Sequence, residues 1–300
     1  MTSANTDPRV LFHYSPVSAF HSIISGQNLR LSLLDVSNDY MEGRWIHEVL
    51  RDVFQSNPVT ARYTDVLLKR AELAISFPVV AAFCLSEEAD QLGQWRGYAD
   101  DGRGFSIGFH KTYFEILGHK NRDEKSEGFA VQKVHYSRPA QDLELEPILK
   151  NILLCIQGGA LAAPHADLLA AASDEDYEAT VAKTTVANKN LSSCMASLMF
   201  FGFWFKNPAF TEEKEWRIMR YVFGNESVER KASLGLLSYH AARDRLVPYV
   251  DLGLQELKSQ AIASVTIGPK NRTPIEYVSS MMCRYGFNDV KILKSTASYR

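Results

Sequence analysis

In "RVLFHYS", residues 9–15, Leu11 and His13 alternate with Phe12 and Tyr14, a period of two that predicts a short buried strand. Pro16 then opens an amphipathic helix, with Val17, Phe20, Ile23 and Ile24 at helical spacing and Gly26 as its expected stop. "NLRLSLLD" predicts a return strand, and "VSNDYMEG" a polar turn. From Trp45 a stripe of Ile46, Val49, Leu50, Val53 and Phe54 predicts a helix to about Gln55, and a second helix follows over about 61–75.

Further on, "VVAAFCLSE" and "GRGFSIGFH" are β-rich runs that bracket "EADQLGQWRGYADD", a length suited to a short helix and a turn. "HKNRDEKSEG" is expected to be a charged surface loop, and "FAVQKVHYS" alternates like a strand. Residues 143–205 carry helical patterning, including the Ala-rich "GGALAAPHADLLAAAS" and the acidic helix start "SDEDYEA". The pattern returns to strand in "EWRIMRYVF", "SLGLLSYH", "LVPYVDL" and "ASVTIGP", and ends with a helix in "TPIEYVSSMMCRYG" and a strand in "DVKILKS". Strands gather at both ends with helices between, so the expected fold is a single α+β domain over 1–300 with a helical insertion at about 143–205. That insertion is a candidate lid or oligomer surface.

Bulk properties narrow the classes. With 46% hydrophobic residues among 300, the chain can bury a sizeable core, and 33 basic against 35 acidic side chains give no global field favouring nucleic acid or anionic membrane. Cys84, Cys155, Cys194 and Cys283 lack the close spacing of a zinc or thiol-redox motif and read as small hydrophobes in a reducing cytoplasm. The apolar runs are too short to span a membrane and the opening residues do not read as a secretory signal, so a cytoplasmic, non-membrane protein is expected.

Familiar catalytic motifs do not fit. The glycines at 102, 104 and 108 run into and through a predicted strand, Phe105 to Phe109, whereas a dinucleotide cradle needs a helix N-terminus there. No His-Glu-x-x-His array, nucleophile elbow or phosphate-binding Gly-Lys-Ser/Thr loop occurs, and no metal is expected. Three features remain. His13 is either a core histidine bonded to backbone or a ligand contact. Trp95 and Tyr98, three apart on a helical turn, either cap the core or wall a flat ligand ring. In "EEKEWRIM", a strand puts Glu213, Glu215 and Arg217 on one face, which makes either a site bordered by two carboxylates or a salt-bridge row.

These blocks together resemble a family of bacterial proteins described as domain of unknown function 2971. The matches run through Phe12, His13 and Tyr14, Gly26, "LRLS" at 29–32, and Asn38, Asp39, Glu42 and Gly43. They continue through Phe83, Ser86, Gln94, Trp95, Tyr98, Gly102 and Gly104, then Phe210, Glu213, Glu215, Trp216 and Arg217, and close with Ile267, Gly268, Pro269 and "SYR". Ser15 stands where that pattern has Thr, and Tyr40 where it has Pro. The opening block is also similar to ADP-ribosyltransferases of the His-Tyr-Glu type, which place His, then Tyr or Ser, then Glu on three strands of a split β-sheet that grips NAD.

That resemblance implies a split-sheet core and NAD as substrate. The order His13, Ser86 or Tyr98, then Glu213 or Glu215 fits the scheme. Departing nicotinamide leaves a cationic ribose, which a carboxylate stabilises, as in glycoside hydrolysis. Glu215 or Glu213 is then the catalytic residue. His13, Tyr14, Ser15, Ser86, Trp95, Tyr98 and Arg217 are the expected NAD contacts. The acceptor of ADP-ribose is unspecified, and the resemblance extends to proteins of bacterial conflict and phage defence. The alternatives are a non-catalytic module binding a nucleotide or a partner in the same cleft, and a purely structural network of His13, Trp95 and Glu215.

Overall fold

The computed structural model describes residues 9–36, 43–125, 128–162, 174–222, 237–242, 245–254 and 261–299. The chain divides into two compact units: Met1–Val36, Val79–Val134 and Ala209–Arg300 form unit 1, while Ser37–Pro78 and His135–Pro208 form unit 2. The helical section expected at 143–205 lies in unit 2, which also takes in residues 37–78.

In chain order, unit 1 and unit 2 contribute β1 (Val10–Ser15), α1 (Val17–Gly26), β2 (Asn28–Leu33), α2 (Trp45–Ser56), α3 (Pro58–Ala61), α4 (Thr64–Ser76), β3 (Val79–Ser86), α5 (Leu92–Tyr98), β4 (Phe105–His110) and α6 (Lys111–Lys125). There follow β5 (Ala130–Lys133), α7 (Arg138–Gln157), α8 (Asp174–Ala196), β6 (Glu215–Val222), β7 (Ser238–Ala242), β8 (Arg245–Gly253), β9 (Ile262–Ile267), α9 (Ile275–Arg284) and β10 (Lys291–Lys294). The protein is therefore of mixed α+β class.

The described strands of unit 1 form one sheet in the order β10-β9-β4-β1-β3-β2-β8-β7, with β6 joined to β3 and β5 to β6. Strand β3 is the branch point. One edge pairs with β6 along its whole length, from Val79↔Val222 to Ser86↔Glu215. Its other edge is shared: β2 pairs at Leu33↔Ala81 and Ser32↔Ala82, and β1 at Phe12↔Ser86. Strands β1 and β2 therefore diverge along this edge, and His13 Nδ1 donates to the Cys84 carbonyl between the two pairings at 2.9 Å.

Directly paired residues share a sheet face, so the register fixes what each face carries. Leu31, Phe83, Ile107, Ile218 and Val265 belong to one apolar core that includes Phe20 and Ile24 of α1, Phe114 and Leu117 of α6, and Val278 and Met282 of α9. Truncating a fully buried member such as Ile218 to Ala costs about 2–5 kcal/mol through lost transfer energy and a residual cavity. The opposite face carries Phe12, Tyr14, Ser86, Glu215 and Arg217.

Two expectations change. Gly26 is the last residue of α1, but Gln27 is the left-handed cap, with φ 51°, and its backbone N–H bonds the Ile23 carbonyl. The charged segment 119–125 continues helix α6 instead of forming a loop. The polar pattern hid a helix whose Tyr113, Phe114 and Leu117 supply the buried stripe. The turn 37–42 and most of the Ala-rich stretch, 163–173, lie outside the described residues. The glycine turn does lead into a strand: a Cβ on Gly104 would stand 2.0 Å from the Ser15 carbonyl oxygen, so only glycine lets β4 start this close to β1.

Unit 2 is helical. Ile46, Leu50 and Phe54 of α2, Leu67 of α4, Leu145 and Ile152 of α7 and Leu191 of α8 share its core with Leu198 and Phe205. Ser137 caps α7 through a bond from the Ala140 N–H, and Arg138 ties that end to α2 by bonds to Asp52 at 2.7 Å and the Val49 carbonyl at 3.1 Å. Among the described residues no helix is long and apolar enough to cross a membrane.

Candidate functional site

Two connections meet at one rim of the unit 1 sheet. Residues 87–91 lead from β3 to α5, and the 3₁₀ turn Pro208–Glu213 leads through Lys214 to β6. Ser86 joins them: its hydroxyl donates to the Glu213 carbonyl at 2.8 Å and accepts from the Glu88 N–H at 3.2 Å. Gln91 Nε2 donates to the Glu212 carbonyl at 2.7 Å, the Glu87 N–H to the Lys214 carbonyl at 3.1 Å, and Lys214 forms an ion pair with Glu88. Ser86 thus acts on backbone here, joining the two loops.

Lys214 is the decisive residue of this rim. Its φ of 44° turns the chain between the 3₁₀ segment and the strand. β6 begins at Glu215, so Glu213 is not part of the alternation that sequence reading extended through it. The shared face of Glu213, Glu215 and Arg217 is corrected to Glu215 and Arg217 alone.

The two glutamates consequently occupy different environments. Glu215 is 6% exposed and Arg217 1% exposed, and the guanidinium grips the carboxylate with both arms, Nε–Oε1 at 2.8 Å and Nη2–Oε2 at 2.9 Å. A strand sets residues i and i+2 on one face at a spacing that allows this fork. Glu213 is partly exposed, and its Oε1 accepts from the hydroxyl of Tyr98, a residue 48% exposed at the end of α5.

Of the expected stacking pair, Tyr98 presents an accessible ring, whereas Trp95 is fully buried, packed edge-on against Tyr14 with ring centroids 4.8 Å apart. Trp95 is thus a core residue and offers no face to a ligand. Tyr14 is also buried. Its hydroxyl donates to the Glu88 carbonyl at 2.7 Å and accepts from the Gln91 N–H at 2.9 Å, and burial raises its pKa. It therefore fixes the β3–α5 connection as a neutral phenol.

His13 and Ser15 point to the sheet face opposite Glu215, because the register places Phe12, Ser86 and Glu215 together. The His13 ring stacks on Phe83 at 4.0 Å, and burial lowers its pKa to about 4, against the pull of the Cys84 carbonyl. It is a neutral imidazole with its proton on Nδ1, which bridges the diverging strands. Ser15 is buried, and its hydroxyl has no hydrogen-bond partner among the described residues. The expected set thus separates: Ser86, Tyr98, Glu213, Glu215 and Arg217 gather on one side, and His13 and Ser15 on the other.

Sequence reading missed two aspartates that hold α5. Asp90 accepts from Trp95 Nε1 at 2.7 Å, Ser295 Oγ at 2.5 Å, and the Thr296 N–H and hydroxyl at 2.7 and 2.9 Å. Burial pushes its pKa up, but these donors win and hold it below the usual carboxylate value. After α5, Asp100, Asp101 and Gly102 all take positive φ, and Asp101 is held by Tyr299 at 2.6 Å and Lys270 at 2.8 Å. Lys270 and Arg96 also lie over the Tyr299 ring, 3.8 and 4.6 Å from its centroid. The closing "SYR" was the available signal, although its partners are distant in sequence.

A family model described as "Protein of unknown function (DUF2971)" matches residues 94–218. The matched span runs from Gln94 in α5 to Ile218 in β6. It contains Tyr98, Glu213, Glu215 and Arg217, and leaves His13, Tyr14, Ser15 and Ser86 outside. No curated protein and no solved structure matches the chain.

Proposed function

We propose that unit 1 binds NAD at the rim formed by β3, α5 and the Pro208–Glu213 turn, and cleaves its nicotinamide–ribose bond. The observation that carries this reading is the partly exposed Glu213 carboxylate, aimed by the Tyr98 hydroxyl at 2.8 Å. The carbon–nitrogen bond breaks with its electron pair leaving on nicotinamide, and Glu213 stabilises the positive charge that develops on ribose. A nucleophile of the acceptor, or water, then bonds the anomeric carbon and releases its proton. Glu215 serves as scaffold, because its carboxylate is already engaged by Arg217. The divergence of β1 and β2 along β3 supports the reading as a counterpart of the split sheet of ADP-ribosyltransferases.

A direct assay separates the partners. Purified chain incubated with NAD is expected to release nicotinamide, and Tyr98→Phe is expected to slow release about tenfold through the loss of one aligning hydrogen bond. Unaltered release in Tyr98→Phe would remove Tyr98 from the site.

The second reading is a non-catalytic nucleotide- or partner-binding module, and one observation favours it: His13 spends Nδ1 on Cys84 and faces away from Glu215, so one expected grip on NAD is missing. That reading predicts a saturable thermal shift with NAD and no nicotinamide.

A further inference from the structure

Cys155 and Cys194, far apart in the sequence, meet where α7 packs on α8 in unit 2. Both are half-buried and both pack against the unit 2 core. Cys155 lines an open groove of about 490 Å³ together with Ala187 and Asn190 of α8. Asn190 lies one helical turn before Cys194, so the two residues occupy the same stripe of α8, turned towards Cys155. The two helices pack closely along this stretch, and Cys155 is the neighbouring group that acts most on the Cys194 thiol.

We propose that Cys155 and Cys194 form a reversible disulfide, made by exchange with a low-molecular-weight disulfide that enters through the groove. The Cys155 thiolate, on the groove wall, attacks one sulfur of the small disulfide. Its S–S bond breaks, one small thiolate leaves and takes up a proton, and a mixed disulfide remains on Cys155. Cys194 then gives up its proton and attacks the Cys155 sulfur, expelling the second small thiol. In sum two protein thiols are oxidised by two electrons, and one disulfide is reduced to two thiols. The product ties α7 to α8 covalently.

Burial, and next the neighbouring Cys155, raise the pKa of Cys194. Because Cys155 stands on the groove wall, Cys194 is the resolving thiol, and ring closure is expected to quicken about tenfold per pH unit as long as Cys194 remains mostly protonated.

The test is to incubate the full chain with oxidised glutathione, alkylate the remaining thiols and map the peptides by mass. The expected result is a Cys155–Cys194 crosslink that dithiothreitol reverses, with the exposed Cys84 and Cys283 outside it. Cys194→Ser is expected to halt at glutathione held on Cys155, showing that the groove admits the reagent. Full alkylation of Cys155 and Cys194 after a treatment that glutathionylates Cys84 or Cys283 would overturn the proposal. So would Cys155 in Cys194→Ser remaining free of glutathione, or a crosslink between another pair.

Discussion

Glu213 and Glu215 stand two residues apart and differ in nearly everything that matters to chemistry. Glu215 enters the sheet as the first residue of β6 and is locked by both arms of Arg217 in a site that water barely reaches. Glu213 ends a 3₁₀ turn, remains partly exposed and accepts from a phenol that itself faces solvent. One left-handed residue, Lys214, separates the two settings. A carboxylate at the mouth of a strand can therefore be scaffold or reagent, according to whether the fold buries it against an opposite charge or leaves it within reach of solvent.

The largest expected effect breaks the scaffold side. Glu215→Ala leaves the Arg217 charge buried without its bidentate partner and is expected to cost about 3–5 kcal/mol, read from urea unfolding. A loss below about 1 kcal/mol, the level of an exposed pair, would refute the lock. By contrast, Glu213→Gln is expected to change stability by less than about 1 kcal/mol.

The next effect concerns pH. Burial lowers the His13 pKa in the folded chain to about 4 from its ordinary 6.5, so the unfolded chain takes up the proton first as pH falls. The stability contributed by neutral His13 is fully present above the unfolded pKa and is lost as pH falls from 6.5 towards 4, up to about 3 kcal/mol. Unfolding curves across this window should show the slope, and His13→Gln should flatten it. An unchanged slope in the variant would assign acid sensitivity to other groups.

A smaller effect tests the anchoring of α5. Asp90→Ala deprives Trp95, Ser295 and Thr296 of their shared acceptor, at an expected cost of about 1–3 kcal/mol. Hydrogen exchange along residues 92–98 should accelerate in this variant. Unchanged exchange would show that the packing of Trp95 on Tyr14 suffices to hold the helix.

Much of the fold was legible because its signals are local. Phe20, Ile23 and Ile24 marked α1 by their helical spacing, and the β-rich run "VVAAFCLS" marked β3, a strand buried over most of its length. Helix α6 was not legible, because "HKNRDEK" is polar and the apolar stripe of Tyr113, Phe114 and Leu117 lies upstream of it. At the site, residue types were legible and their grouping was not. Alternation alone put Glu213 beside Glu215, whereas a positive φ at Lys214, which no pattern of hydrophobicity encodes, separates them. His13 was weighed as a backbone-bonded core residue, and its bond to Cys84 depends on two strands diverging from a third, a feature of register. Asp90 and Asp101 were missed because their donors come from Ser295, Thr296, Lys270 and Tyr299, about 170–205 residues downstream.

The most direct test of Glu213 as the acting carboxylate is nicotinamide release from NAD by the unaltered chain and by Glu213→Gln, with unfolding midpoints measured alongside. The account predicts release by the unaltered chain, a loss of at least about a hundredfold in the variant, and matching midpoints. Full turnover by Glu213→Gln, or no nicotinamide from the folded, unaltered chain, would contradict it.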